Sequence, residues 1–221
     1  MSKTVHPYSH RLVTLRNWRS RWFARGEKYR ELLRMNVLLR DFLEKKLRGH
    51  YVADITFEHG ASTGKVCIHT SRPGMIIGRN GEGIEKLKKS VHRFARSNDI
   101  TLPVKFEIEI VEIKSPDTNA MIVAQSIAEA LEKRMQFRRV MKMTIEKIMS
   151  SQGVKGARIV LAGRLGGAEI ARREELKRGS IPMQFIRGDI DFASYRSRLP
   201  YGTIGIKVWI YHGDSLQNSQ S

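Results

Sequence analysis

The chain has 221 residues, with 40 Lys and Arg against 22 Asp and Glu, a formal net charge of +18. That excess suits a polyanion partner, and 41% hydrophobic residues are enough for one large or two small cores, which excludes a wholly disordered chain. The longest apolar runs, such as Met121 to Ala124 and Ile159 to Ala162, fall far short of the ~20 residues that cross a bilayer, so neither a span nor a membrane partner is expected.

At the amino terminus, charges and Pro7 stand where a secretory signal would carry its apolar stretch, which points to a cytoplasmic protein. Residues 1–50 hold 13 basic and 4 acidic side chains, half of the total excess. Arg11, Arg16, Arg19, Arg21 and Arg25 alternate with Trp18, Trp22 and Phe23. Arginine clamps phosphates and stacks on bases as aromatics do, so residues 1–26 read as a basic RNA-binding arm. The alternative is a solvated basic tail whose aromatics dock on the body.

From Glu27 to Arg48 the apolar residues Leu32, Met35, Leu39 and Phe42 recur at helical spacing, and Gly49 ends the helix. Tyr51 to His59 and Lys65 to Thr70 read as strands about a Gly60-Ala61-Ser62-Thr63-Gly64 turn. Cys67, the single cysteine, alternates with Val66 and Ile68 and reads as a packed or half-exposed small side chain; it has no disulfide mate, and no structural zinc set is available. A short apolar helix at Met75-Ile76-Ile77 leads through Gly78-Arg79-Asn80-Gly81 into a helix with Ile84, Leu87, Val91 and Phe94 on one face. Val104, Phe106, Ile108 and Ile110 then alternate as a strand, giving the order αββααβ over residues 27–113.

Lys114-Ser115-Pro116-Asp117 breaks the pattern, with Asp117 available as a helix cap. A second unit, residues 114–213, follows. Ala120, Ala124, Ile127, Leu131 and Met135 line one helix; Phe137, Met141, Ile145 and Ile148 line another. Ala157 to Ala162 and Thr203 to Tyr211 read as strands, the latter with Ile204, Ile206, Val208 and Ile210 on one face and Lys207, Trp209 and Tyr211 on the other. Trp209 and Tyr211 suit either base stacking or packing. Ala171 to Arg178 is helix or strand by pattern alone, and residues 214–221 read as a disordered tail.

The Gly78-Arg79-Asn80-Gly81 turn is the main binding motif. Glycines let a sugar-phosphate backbone approach, the following helix start favours negative charge, and Arg79, with Lys86 and Lys89 on the next helix, adds cations. A Walker loop is excluded, because Ile84 stands where its lysine is required. Arg138, Arg139 and Lys142, at helical spacing, form a second basic ridge.

In its αββααβ context the loop resembles that of a type II KH domain. Further blocks carry a wider resemblance: Lys3, Val5-His6-Pro7 and Arg11-Leu12; Trp22-Phe23-Ala24; His69 to Gly74; GRLGGAEIAR from Gly163 to Arg172; Asp189-Ile190-Asp191-Phe192; and Tyr201 to Ile210. Over nearly its whole length the chain resembles the bacterial-type third protein of the small ribosomal subunit. That resemblance implies an α+β fold: an N-terminal type II KH domain and a C-terminal domain of two helices on a mostly antiparallel sheet, with Ala171 to Arg178 in a strand. It implies binding to 16S ribosomal RNA in the lower part of the subunit head, through Lys3, His6, Arg11, Arg16, Arg19, Arg21, Arg164 and Arg172. It also implies a place at the mRNA entry, where Arg138, Arg139 and Lys142 help separate message strands, with the tenth and fourteenth head proteins as neighbours and the second and fifth as further candidates. No catalysis, cofactor or metal is implied.

Ser2, Ser9 and Val13 stand where that family usually has glycine, and Asn80 where it is often basic. The rivals are a free KH-domain regulator, which leaves the second unit unexplained, and a nuclease or repair lyase. For the latter, the seven histidines are scattered without metal-ligand spacing, and Asp189 and Asp191 are expected to face opposite ways on a strand.

Overall fold

The computed structural model describes residues 5–60, 63–103 and 105–214. Ser2, Lys3, the turn residues Ala61 and Ser62, Val104 and the tail from 215 lie outside the described residues. The chain forms two compact units, one of residues 18–114 and one that joins residues 5–17 to residues 115–214. The N-terminal stretch read as a single arm is therefore divided between them.

In the first unit a two-residue strand β1 (Ser20–Arg21) precedes α2 (Glu27–Lys46), the first unit's long helix; α1 (Pro7–His10) belongs to the other unit. The hairpin β2 (Val52–His59) and β3 (Thr63–Thr70), the short α3 (Pro73–Ile77), α4 (Glu82–Ser97) and β4 (Lys105–Glu112) complete the αββααβ order of a type II KH domain. β2 and β3 pair antiparallel, β3 and β4 parallel, and β1 adds a parallel edge beside β2 that periodicity did not reveal. Met35, Leu39 and Leu43 of α2 and Leu87 and Val91 of α4 are buried against Ile55, Phe57, Val66, Ile68 and Ile108 of the sheet. The Phe42 and Phe94 rings stack 4.4 Å apart at the edge of this core.

The second unit packs α5 (Ala120–Glu132) and α6 (Phe137–Ser150) on an antiparallel sheet of β5 (Gly156–Gly163), β6 (Arg172–Gly179), β7 (Gly188–Leu199) and β8 (Gly202–Asp214), in the order β6-β5-β8-β7. Residues 172–179 are thus strand, and β8 runs on through Gly213 to Asp214, beyond the end expected from its alternation. Ile204, Ile206, Val208 and Ile210 face the helices and are at most 1% exposed. The opposite sheet face is also covered: Trp209 and Tyr211 are buried with Val160 and Ile190, and Phe192 packs on them. Packing, not base stacking, is the role of these two aromatics.

The cap of α5 is Asn119, whose side-chain oxygen accepts from the N–H groups of Met121 and Ile122 at 3.0 and 3.2 Å. Asp117, the expected cap, sits in a 3-10 turn two residues too early and pairs with Lys147 at 2.8 Å.

Between α3 and α4 the backbones approach so closely that a Cβ on Gly83 would lie 2.3 Å from the Ile76 carbonyl oxygen and 2.8 Å from that of Ile77. Neither backbone atom can rotate aside. Gly83→Ala is therefore expected to push the two helices apart and cost the KH unit about 2 kcal/mol, read by denaturant titration of hydrogen exchange in β2 and β3. Unchanged protection would contradict this packing.

Candidate nucleic-acid interface

The loop between α3 and α4 owes its shape to backbone conformations that few residues accept. Gly78 has φ 70 and ψ −175, a region essentially restricted to glycine, and Gly81 is left-handed at φ 80. Asn80 is left-handed as well, at φ 51 and ψ 25. Asparagine is among the few other residues that tolerate this, so the backbone accounts for its presence where a cation was expected. Gly81 caps α4 without a side chain, which leaves first-turn N–H groups for solvent or an anion.

Arg79 is exposed at the tip of this loop. Lys86 pairs with Glu82 at 2.6 Å, one turn earlier, in a surface pair that a phosphate would have to displace, and its hydrogen bond holds the Glu82 carboxyl below the usual carboxylate range. Lys89 is exposed and has no ion pair among the described residues. The cations of this set that are free for a phosphate are Arg79 and Lys89.

On α6, Val140, Met141, Ile145 and Ile148 are buried, which turns Arg138, Arg139 and Lys142 to solvent. Arg138 lies 3.4 Å from Glu174 of β6, while Arg139 and Lys142 have no ion pair among the described residues. Beside this ridge is a cleft of about 770 Å³ lined by Arg134, Met135, Phe137, Arg138, Arg172 and Tyr201 among others. The guanidiniums of Arg138 and Arg172 lie 5.6 and 5.5 Å from the centroid of the Phe137 ring. Phe137 packs against the core, as its helical spacing predicts, and also lines the cleft; Arg134, which periodicity does not single out, joins it there with Arg172 of β6.

The arginines singled out for ribosomal RNA do not share one surface. Arg11 is 0% exposed, and its guanidinium donates to the carbonyl oxygens of Pro7, Met183, Phe185 and Gly188. Burial lowers its proton affinity, and Asp189 offsets part of that. It has no face left for a phosphate, which corrects its reading as an RNA contact: it is a clasp between the N-terminal segment and residues 183–188. Arg16 pairs with Asp189 at 2.7 Å and approaches Asp191 at 3.8 Å. Both carboxylates thus reach one guanidinium, contrary to the expectation that they face opposite ways, because strand positions two apart share a side.

In the KH unit Arg19 pairs with Asp54 and Arg21 with Glu58, each at 3.2 Å. Both arginines remain about half exposed, and surface pairs of this kind are worth little, so a phosphate can displace either carboxylate. Arg164 donates to the Ala168 and Tyr201 carbonyls and shapes the loop after β5. Arg172 is exposed and 3.8 Å from Glu174, and His6 is exposed, edge-on to Phe192 with centroids 4.9 Å apart. Lys3 lies outside the described residues.

Cys67 is 8% exposed and its thiol donates to Glu109 at 3.2 Å. Burial first, then that carboxylate, pushes the thiol up, the opposite of what a nucleophile requires. Burial also pushes the His59 imidazole down; it lies 3.3 Å from the Asn36 side-chain oxygen. Among the described residues, no three His, Cys, Asp or Glu side chains converge as a metal set, and no helix is long and apolar enough to cross a membrane.

An αββααβ unit with an exposed Gly-x-x-Gly turn places the chain among KH-type RNA-binding proteins. The KH domain family model matches residues 38–118, and the model for the C-terminal domain of ribosomal protein S3 matches residues 127–210. The small ribosomal subunit protein uS3 of Clostridium novyi (strain NT) is 40% identical over 216 residues, spanning 98% of this chain and 95% of that protein. The uS3 protein of Burkholderia cenocepacia (strain HI2424) is 39% identical over 98% of this chain and 78% of its own length. The chain belongs to the uS3 family of small ribosomal subunit proteins.

Replacing Arg11 by methionine keeps the bulk but strands buried carbonyls, and is expected to cost on the order of 3 kcal/mol of stability in the C-terminal unit. The salt dependence of RNA binding by the folded protein should not change. A salt slope smaller by about one would instead mean that Arg11 meets a phosphate.

Proposed function

We propose that the chain is a structural, non-catalytic constituent of the small ribosomal subunit, anchored to 16S ribosomal RNA in the lower part of the head and contributing to the mRNA entry channel. The names and near-complete coverage of its relatives support the subunit assignment. The observation that carries the RNA reading is the division of the cations. Arg11 and Arg16 are held by groups of their own unit, whereas Arg79, Lys89, Arg139 and Lys142 are exposed without ion pairs among the described residues.

Unpaired cations on rigid helix starts and faces bind phosphates without first breaking an internal pair. Arg79 and Lys89 serve the KH loop together with the uncapped N–H groups of α4. Arg139 and Lys142, with Arg138 once it leaves Glu174, grip the backbone of an incoming message. Holding the strands by their phosphates is independent of sequence, as a channel open to every message requires. Through the same subunit the chain contacts neighbouring head proteins, the tenth and fourteenth foremost and then the second and fifth, and its location is the cytoplasm.

Replacing Arg138, Arg139 and Lys142 together by alanine tests the ridge. The salt slope for single-stranded RNA should fall by about 1.4, since two of the three cations are unpaired and each phosphate contact on a single strand contributes ~0.7. Subunits carrying the variant should translate structured messages more slowly while incorporating the protein normally. Loss of incorporation, or unchanged passage through structured messages, would remove the mRNA assignment.

A further inference from the structure

We infer that the cleft beside the α6 ridge is a binding pocket for one unpaired RNA nucleotide, whose base stacks on Phe137 and whose phosphate is held by Arg134 and Arg172. This deepens the mRNA reading above and rests on it: the ridge holds the strand, and the cleft receives a base from it.

Its volume of about 770 Å³ lies within the range of ~300–1,000 Å³ typical of small-ligand sites. The floor is apolar, with Leu131 and Ile204 almost fully buried, and Phe137 and Tyr201 supply aromatic surface. The rim is cationic. Arg134 has no ion pair among the described residues, and Arg138 and Arg172 share the single carboxylate of Glu174 at 3.4 and 3.8 Å. Unstacked bases bind on aromatic rings and on guanidinium planes, and this cleft offers both within 6 Å of each other.

The backbone of Arg134 is a separate argument. Helix α5 ends in a Schellman motif: the Arg134 N–H bonds to the Leu131 carbonyl at 2.9 Å, and the Met135 N–H to the Ala130 carbonyl at 3.1 Å. The residue after the cap is left-handed, at φ 60, where glycine is the unstrained choice. Arginine there carries strain that the helix end does not require, and places a cation on the cleft. Arg139 and Lys142, outside the cleft lining but on α6 with Phe137 and Arg138, are placed to hold the phosphates on either side of the inserted nucleotide.

The test compares binding of the full chain to a short single-stranded RNA and to the same RNA with abasic riboses at its central positions. The ratio of the two affinities measures base recognition apart from phosphate contact. Phe137→Leu should lower that ratio about tenfold, the scale of one lost base stack. Arg134→Gly relieves the left-handed residue, so it should melt no lower than the parent while binding the intact RNA more weakly. A ratio unchanged in both variants overturns the pocket. So does tight binding of a glutamate-rich peptide that Arg134→Gly abolishes while the ratio stays fixed, since the cleft would then hold an acidic protein segment. Arg139→Ala with Lys142→Ala reads the ridge separately: it should lower the salt slope and leave the ratio intact, so failure of the ridge and failure of the pocket appear in different measurements.

Discussion

A chain with a net charge of +18 must do something with its cations before it can be compact, and the structure divides them into two kinds. Some are consumed in holding the fold. Arg11 threads its guanidinium into four backbone carbonyls, Arg16 reaches Asp189 and Asp191, and Asp191 in turn accepts from the Ala120 N–H at the start of α5. One chain of polar contacts therefore ties the N-terminal segment, the outer strand β7 and the first helix of the C-terminal unit together. Others, among them Arg79, Lys89, Arg134, Arg139 and Lys142, stand exposed without an ion pair among the described residues, on the KH loop, α4, the end of α5 and α6.

Rigid backbone sets where those free cations stand. The close approach at Gly83 locks α3 to α4, so the Gly78 to Gly81 turn is held from both ends. The buried stripe of α6 faces the sheet, which leaves its basic residues one exposed side. Sites on such elements lose little conformational freedom on binding, and that favours phosphate contact over the flexible tails on which basic residues often occur. The same logic explains Asn80: the loop's left-handed backbone outweighs the advantage of one more charge.

Much of this was legible in the sequence. Helical spacing located α2, α4, α5 and α6, and strict alternation located the helix-facing side of β8, because a single buried face imprints its period on the residues. The Gly-x-x-Gly turn and the blocks from Gly163 to Arg172 and Tyr201 to Ile210 carried the family. What was not legible arises from contacts distant in sequence. Three of the four carbonyls that hold Arg11 lie more than 170 residues away, so a buried structural arginine looks like any other basic residue of the N-terminal stretch. The second core, with Trp209, Tyr211 and Phe192, forms because Ile181 and Met183, ahead of β7, pack on the far face of the sheet, and alternation alone reads such a face as exposed. The helix cap moved from Asp117 to Asn119 because a 3-10 turn intervened, and Phe137, which packs against the core as its spacing predicts, also lines the cleft that forms where β6 is set beside α6.

This arrangement of cations suits a chain held inside a small ribosomal subunit. The most direct measurement is to sediment a lysate of native cells on a density gradient, first at low and then at elevated monovalent salt, and follow the chain through the free, small-subunit and whole-ribosome fractions. The chain is expected to travel with the small subunit and to stay there at moderate salt. A chain that remains in the light fractions at low salt would contradict it.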